Sequence, residues 1–208
     1  LSLRRQRQMC IRDSFMAEYS RFFDSTPGDK RSYSAAEFAE FMRTFYSTGV
    51  ISGGEKLKVT RNPATMSVAV APGMAMLEGH WYLNDAAFPL QVTAADATYP
   101  RIDRVVLRLD LTLNVRKINL KVLKGIPAAV PQPPALTRNE NIYDLSLAQL
   151  SIVANATTVS TVTDERVDAS VCGISQGLYT VDLSGFNAQL QDCLLYTSPS
   201  PRDVEESR

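Results

Sequence analysis

Apolar residues recur at helical spacing near the start of the chain, in the segment SYSAAEFAEFMRTFYSTGV. Ser34 followed by Glu37 predicts a capping box at the N-terminus of this helix. Gly49 predicts a left-handed stop at its other end. We expect the apolar face of this amphipathic helix to pack against the core. That face carries Phe38, Phe41, Met42, Phe45 and Tyr46.

From Lys56 onward the apolar period changes to two, which is typical of half-buried strands. The segment MAMLEGHWYL predicts a hairpin that turns at Glu78 and Gly79. A second hairpin is predicted in RIDRVVLRLDLTLNVRKINLKVLKG, and further strands at residues 143–153 and 159–162. One face of the second hairpin is expected to form the centre of the core and carries Val105, Leu107, Leu109, Leu111, Ile118, Leu120 and Val122.

This run of short strands predicts a mainly β fold, an antiparallel β-sandwich or barrel. The Pro-rich segment GIPAAVPQPPALTR predicts an extended surface connection. The spacing of Leu183, Phe186 and Leu190 indicates the start of a C-terminal helix. We therefore expect an N-terminal helical segment at 16–50, an antiparallel β domain at 51–178 and the start of a helical stalk at 179–192.

Both ends of the chain resemble translated sequencing adapters. The run from Arg4 to Ser14 corresponds to one frame of a transposase-type adapter, and the run from Cys193 to Asp203 corresponds to one frame of its partner. We therefore expect residues 1–15 and 193–208 to be disordered artefacts that take no part in the fold. The genuine segment is then expected to start at Met16 and to be truncated at about Asp192.

Setting the two ends aside changes the charge of the protein. The whole sequence has 22 basic and 22 acidic residues, and the ends hold six of the arginines and four of the acids. The remaining segment is slightly acidic, which argues against non-specific binding to nucleic acid.

Cys172 is the one cysteine of this segment, so no internal disulfide can form. Because no apolar run reaches about 18 residues, we expect no membrane insertion.

The residues that could carry catalysis are few. His80 is the single histidine, and a nucleophile triad would need a serine or Cys172 beside it. One histidine and one cysteine cannot build the usual structural zinc site, and the sequence has no phosphate-binding or dinucleotide-binding glycine motif. We therefore predict no enzymatic activity, no metal and no cofactor. The carboxylates that could serve in acid–base work are Asp103, Asp110, Asp164 and Glu165. Asp103 and Asp110 fall on opposite faces of one strand, and Asp164 and Glu165 adjoin Arg166, which indicates an ion pair or a turn.

Several segments, taken in order, carry a resemblance to a known class of proteins. They are FFDSTPGDKRSYSAAEFAEFMRTFYSTGV, VAVAPGMAMLEGHWYLND, YPRIDRVVLRLDLT, LKGIPAAVPQPPALTRN with IYDLSLAQLSI, and TDERVDASVCGISQGL. Together they resemble the N-terminal region of tail and baseplate structural proteins, such as baseplate upper proteins and tail fibres, of phages and prophages from Gram-positive bacteria. The resemblance spans Phe22 to Leu178, with the order of the motifs as its main support.

This resemblance implies a structural component that attaches a receptor-binding or fibre region to the tail. It also implies a homo-oligomer, with a trimer favoured, that contacts other tail or baseplate proteins. Such a protein is made in the host cytoplasm and ends in the virion.

Two other functions stay open. The first is a carbohydrate-binding adhesin module, in which Trp81 and Tyr82 would form a stacking platform for sugar rings. An exposed pair of rings would favour this hypothesis. The second, ranked below it, is a tail-associated hydrolase fragment, which a pair of carboxylates converging in a cleft would favour.

Overall fold

The computed structural model describes residues 20–177, which form a mainly β fold. The described residues up to Gln176 belong to one compact unit. The expectations for residues 1–15, 179–192 and 193–208, including Leu183, Phe186 and Leu190, lie outside the described residues. The elements in chain order are α1 (Ala35–Arg43), β1 (Gly49–Ile51), β2 (Val59–Arg61), β3 (Ser67–Val70), β4 (Gly73–Leu77), β5 (His80–Asn84), β6 (Phe88–Gln91), β7 (Arg101–Asp110), β8 (Lys117–Leu123), β9 (Ile142–Ile152), β10 (Thr161–Asp164) and β11 (Ile174–Ser175).

The strands form three open sheets within the described part of the chain. The central sheet has the order β10-β9-β7-β8, and the other two have the orders β11-β1-β4-β5 and β2-β3-β6. All pairs are antiparallel except β1 with β11, which run parallel. None of the three sheets closes on itself, so the barrel alternative is wrong for these residues.

Helix α1 begins as the sequence predicts and ends earlier than expected. The backbone N–H of Glu37 donates to Ser34 Oγ at 3.2 Å, and the backbone N–H of Ser34 donates to Glu37 Oε2 at 2.7 Å, which is the predicted capping box. The helix ends at Arg43, however, and Gly49 lies in β1 instead of stopping the helix. Gly49 is needed there for space, because a Cβ would lie 2.6 Å from the carbonyl oxygen of Gly173.

The two predicted hairpins are confirmed. Strands β4 and β5 pair from Gly73↔Asn84 to Leu77↔His80 around a two-residue turn at Glu78 and Gly79. Both turn residues have positive φ, 46° and 75°, as a type I′ turn requires. Strands β7 and β8 pair with Val105, Leu107 and Leu109 opposite Val122, Leu120 and Ile118.

One hydrophobic cluster joins buried residues from all three sheets. Leu107, at its centre, is fully buried, whereas Leu111, predicted on the same face, is 39% exposed. Leu111 lies outside the core because β7 ends at Asp110, and the Leu111 N–H then bonds to the carbonyl of Asn141. Ile118 and Val122 are partly buried against the cluster rather than at its centre.

The prediction that the aromatic face of α1 packs into the core is wrong. Ala39 is the one buried residue of this helix, whereas Phe38 and Phe41 are 54% and 40% exposed. The physical reason is close contact at Ala39, whose carbonyl lies directly over Gly79 in the β4–β5 turn. That contact brings the backbone of α1 against the turn at Ala39, and Phe38 and Phe41 keep large exposed areas. Among residues 20–177, no helix has both the length and the apolar character that a membrane crossing requires.

Candidate functional site

Two grooves meet where α1 crosses the β4–β5 hairpin. The hydrophobic groove, about 460 Å³, lies between α1 and the hairpin and is lined mainly by Phe38, Met42, Met76, Trp81, Leu109 and Ile118. Arg116 and Lys117 at the start of β8 give this groove a basic rim. The second groove, about 420 Å³, shares His80 with the first and includes the charged residues Arg43, Glu78, Arg138 and Glu140.

An aromatic cluster extends the hydrophobic groove onto the outer side of α1. The Phe22 ring lies 5.0 Å from that of Phe41 and 5.3 Å from that of Tyr33, measured between ring centroids. Phe41 also contacts Phe45 at 4.8 Å, and Phe38 completes the cluster. These edge and tilted contacts stabilise the rings against each other. Phe22, Phe38 and Phe41 nevertheless keep large exposed areas.

The structure does not bring Trp81 and Tyr82 together as one platform. They are consecutive residues of β5, and consecutive side chains of a strand point to opposite faces of its sheet. Trp81 is 58% exposed on the outer face, next to Phe38 and Ile118 in the hydrophobic groove. Tyr82 lies on the inner face against the core, where burial raises the pKa of its hydroxyl. Trp81 alone is therefore available for contact with a ligand or partner.

His80 has a structural hydrogen bond. Its Nδ1 lies 3.0 Å from the carbonyl oxygen of Glu78, and among the described residues this is its one hydrogen-bond partner. The Glu78 carboxylate is itself engaged, because Oε2 accepts from Arg43 Nη1 at 3.3 Å and Oε1 accepts from Thr48 Oγ1 at 3.2 Å. These contacts fix the hairpin turn against α1 and β1.

Cys172 is buried, and burial raises the pKa of its thiol to about 12. The thiol is therefore protonated at neutral pH, and the thiolate is the form that attacks substrates. This arrangement suits a packing residue and not a nucleophile.

The carboxylates weighed for catalysis are each held by a partner of their own. Asp103 is fully buried and accepts from Arg101 Nε at 3.0 Å and from the Gly125 N–H at 2.8 Å. Asp110 accepts from the N–H and hydroxyl of Thr112, which lowers the pKa of Asp110. Asp103 and Asp110 lie on opposite faces of β7, as the sequence predicts, and do not form a pair.

The adjacent acids Asp164 and Glu165 are also divided between two partners. Asp164 binds Arg166 at 2.6 Å, which lowers the pKa of Asp164 and matches the predicted ion pair. Glu165 accepts from Arg104, Ser146 and Gln149 beneath the surface. In residues 20–177, no three acidic, histidine or cysteine side chains are grouped as metal ligands.

Sequence reasoning missed the importance of the outer face of α1 and β5. Its aromatic residues were visible at helical spacing, yet spacing identifies a face without identifying what covers it. The missing information was the position of Gly79 beneath Ala39, which is a long-range contact. Comparisons with family models, curated proteins and solved structures found no match to this chain.

Proposed function

We propose that this chain is a non-enzymatic structural component of a phage tail or baseplate, which attaches a receptor-binding or fibre region to the tail. The observation that carries the proposal is the exposed apolar surface formed by the aromatic cluster, Trp81 and Leu83. Large exposed apolar patches typically mark protein–protein contacts. The motif resemblance from Phe22 to Leu178 supports a phage tail or baseplate as the assembly in which such contacts would be made.

The construction of the domain suits an attachment role. Four ion pairs lie within or beside the central sheet: Arg101–Asp103, Arg104–Glu165, Arg108–Asp144 and Arg166–Asp164. Two of these arginines also hold loops, because Arg101 donates to the carbonyl of Ala94 and Arg166 donates to the carbonyl of Gly54. In our proposal the sheets pack face to face as a sandwich around the shared hydrophobic cluster. A rigid body of this kind presents α1 and β5 in a fixed position to neighbouring tail proteins and to other copies. The proposed assembly is a homo-oligomer, with a trimer favoured, in the virion after synthesis in the host cytoplasm.

The test is the presence of the protein in particles. Phage particles would be purified by density gradient from a host that carries the gene and analysed by quantitative mass spectrometry. We expect peptides from this chain to co-purify with tail proteins, at a copy number that is a multiple of three. Recovery in the soluble host extract alone, or gene neighbours unrelated to phage tails, would contradict the proposal.

A second candidate function is glycan binding through Trp81. Its support is the exposed indole beside the hydrophobic groove, with Arg116 and Lys117 on the rim to contact hydroxyl or anionic groups. Calorimetry with cell-wall oligosaccharides would test it. We expect Trp81→Ala to remove binding and Phe88→Ala to retain it, because Phe88 is a comparably exposed ring on a different sheet.

A further inference from the structure

Strand β5 differs from the other edge strands of the three sheets. Exposed edges present unpaired backbone groups, and proteins usually protect them with charged residues, proline or short length. Strand β5 has five residues, none of which is Lys, Arg, Asp, Glu or Pro. The other edges in the described part of the chain each have such protection: Lys117 and Lys121 in β8, Asp164 in β10, Arg61 in β2, Pro89 in β6 and a length of two residues in β11.

The turn geometry determines which backbone groups of β5 are unpaired. In a two-residue hairpin the flanking residues, here Leu77 and His80, form the first hydrogen-bonded pair. Hydrogen-bonded pairs alternate along an antiparallel ladder, so Tyr82 also bonds to β4 while Trp81 and Leu83 direct their N–H and C=O groups away from it. No other strand in residues 20–177 pairs with this edge.

The same two residues expose their side chains. Trp81 is 58% exposed and Leu83 is 49% exposed, on the sheet face that also carries Met74. Unpaired backbone and exposed apolar side chains therefore coincide at Trp81 and Leu83. This combination fits the addition of another strand, with backbone bonds for affinity and side chains for specificity.

We propose that β5 pairs with β5 of a second copy of this chain, antiparallel and about a two-fold axis at Tyr82. In this register Trp81 of each copy lies opposite Leu83 of the other. The outward N–H and C=O groups of these residues then meet directly, and four backbone hydrogen bonds form. The two sheets join into one continuous sheet across the axis, and the contact is self-complementary as two-fold symmetry requires.

The sizes of the side chains favour a second copy over an unrelated strand. The register packs a large ring on a smaller aliphatic side chain twice, once on each side of the axis. It also places the exposed Asp85 of one copy near the Arg43–Glu78 ion pair of the other, and because that pair is neutral overall, charge does not oppose the contact. The exposed parts of Trp81, Leu83, Met74 and Phe38 amount to several hundred Å² per copy, below the ~800 Å² per partner of a standard interface. We therefore expect a reversible dimer of roughly micromolar affinity.

This inference does not depend on the proposed tail function, because it concerns a two-fold contact separate from any three-fold stalk. Sedimentation equilibrium of the full chain between about 1 and 100 µM tests it. We expect Leu83→Lys to abolish the two-fold association, because the charge protects the edge without touching the β4 ladder. Leu113→Lys, at an 84% exposed leucine between β7 and β8, is the matched control and should leave the association unchanged.

Amide hydrogen exchange gives a second measurement that does not require a variant. The Trp81 and Leu83 amides should be protected at high protein concentration and exchange rapidly at low concentration. The Tyr82 amide, bonded to β4, should be protected at both. Amides of Trp81 and Leu83 whose exchange is independent of concentration would overturn the inference.

The outcomes separate this inference from the proposed function. A trimer whose mass is the same in the wild type and in Leu83→Lys leaves the tail proposal standing and overturns the β5 contact. Loss of association in Leu113→Lys as well would also overturn it, since the effect would then be non-specific. A wild-type dimer that Leu83→Lys alone converts to a monomer would support the β5 contact. A wild-type hexamer that Leu83→Lys alone reduces to a trimer would also support it.

Discussion

The outer face of the central sheet and the outer face of α1 with β5 show opposite distributions of polar and apolar side chains. On the central sheet, arginines and acids are buried under loops. Arg108 donates through Nε and Nη2 to the two oxygens of Asp144 at 2.7 and 2.8 Å, and Asp144 is fully buried. On α1, five of the apolar residues are exposed or only partly buried, and Ala39 alone is buried.

The difference between these faces depends on the loops. The Pro-rich segment lies over the central sheet and supplies backbone partners, since the Thr137 N–H donates to Asp144 and the Pro134 carbonyl accepts from Arg104. Carbonyls of Ser170 and Val171 accept from Arg138 in the same way. A buried charge is tolerated when its hydrogen bonds are satisfied. Among residues 20–177, no comparable segment covers Trp81 or Leu83, so those residues remain exposed.

The comparison shows that the residue pattern predicted helices and strands, but it did not predict which of their outer faces are covered by loops. Buried charges here have partners within the domain, whereas the exposed apolar side chains have no cover among residues 20–177. Changes to the first face should therefore affect unfolding, whereas changes to the second should affect association. The predictions below test this division, starting with the largest expected effect.

Removing one partner of a buried ion pair should have the largest effect. Asp144→Ala leaves the partly buried Arg108 guanidinium, 17% exposed, without its bidentate partner, and removing one partner of a buried pair costs about 3 to 5 kcal/mol of unfolding free energy. Urea unfolding followed by circular dichroism would measure it. Asp29→Ala removes an exposed pair with Arg31 and is the control, with an expected cost under about 1 kcal/mol. Equal effects of the two changes would contradict the division.

A cavity in the core should come next. Leu107 is fully buried at the centre of the hydrophobic cluster, so Leu107→Ala should cost about 2 to 5 kcal/mol. Leu111→Ala should cost less than about 1 kcal/mol, because Leu111 lies beyond the end of β7 and is partly in solvent. The sequence pattern places both leucines on one buried face. A similar cost for the two changes would therefore mean that Leu111 also belongs to the core, against the structure.

The sequence was sufficient for the elements that local chemistry determines. Ser34 and Glu37 predicted the start of α1, Glu78 and Gly79 predicted the tight turn, and the alternation in β7 and β8 predicted their pairing. Each of these features depends on residues that are close together in the chain or opposite each other in a hairpin. Short-range patterns are informative about such features.

The sequence was insufficient wherever distant segments meet. Strand β11 pairs with β1 across more than a hundred residues, and its two residues carry no recognisable strand pattern. Arg104 and Arg108 pair with Glu165 and Asp144, which lie 61 and 36 residues further along the chain, so their partners cannot be read from the β7–β8 hairpin. The candidate site shares this limitation, because the exposure of Phe38 and Trp81 depends on how α1 rests on the hairpin.

The contact between α1 and the hairpin is open to a direct test at Gly79. A Cβ at this position would overlap the Ala39 carbonyl oxygen, and φ is +75°. Gly79→Ala should therefore displace α1 and cost about 1 to 3 kcal/mol. Gly54→Ala is the matched control, because its φ is also positive at +57° but nothing lies within 4 Å of the added carbon. It should cost about 1 kcal/mol, from backbone strain alone.

The smallest effect on stability is expected at the aromatic face of α1. Phe38 is 54% exposed and makes edge and tilted ring contacts with Phe22 and Phe41, so Phe38→Ser should change the unfolding free energy by no more than about 1 kcal/mol when measured at a concentration where the protein is monomeric. Association should weaken at the same time, because Phe38 and Trp81 line one continuous apolar surface. Phe88→Ser, at a ring of similar exposure on β6, should change neither quantity. A loss of about 2 kcal/mol or more for Phe38→Ser would mean that this ring is part of the core, as helical spacing alone predicts, and the contrast between the two faces would fail.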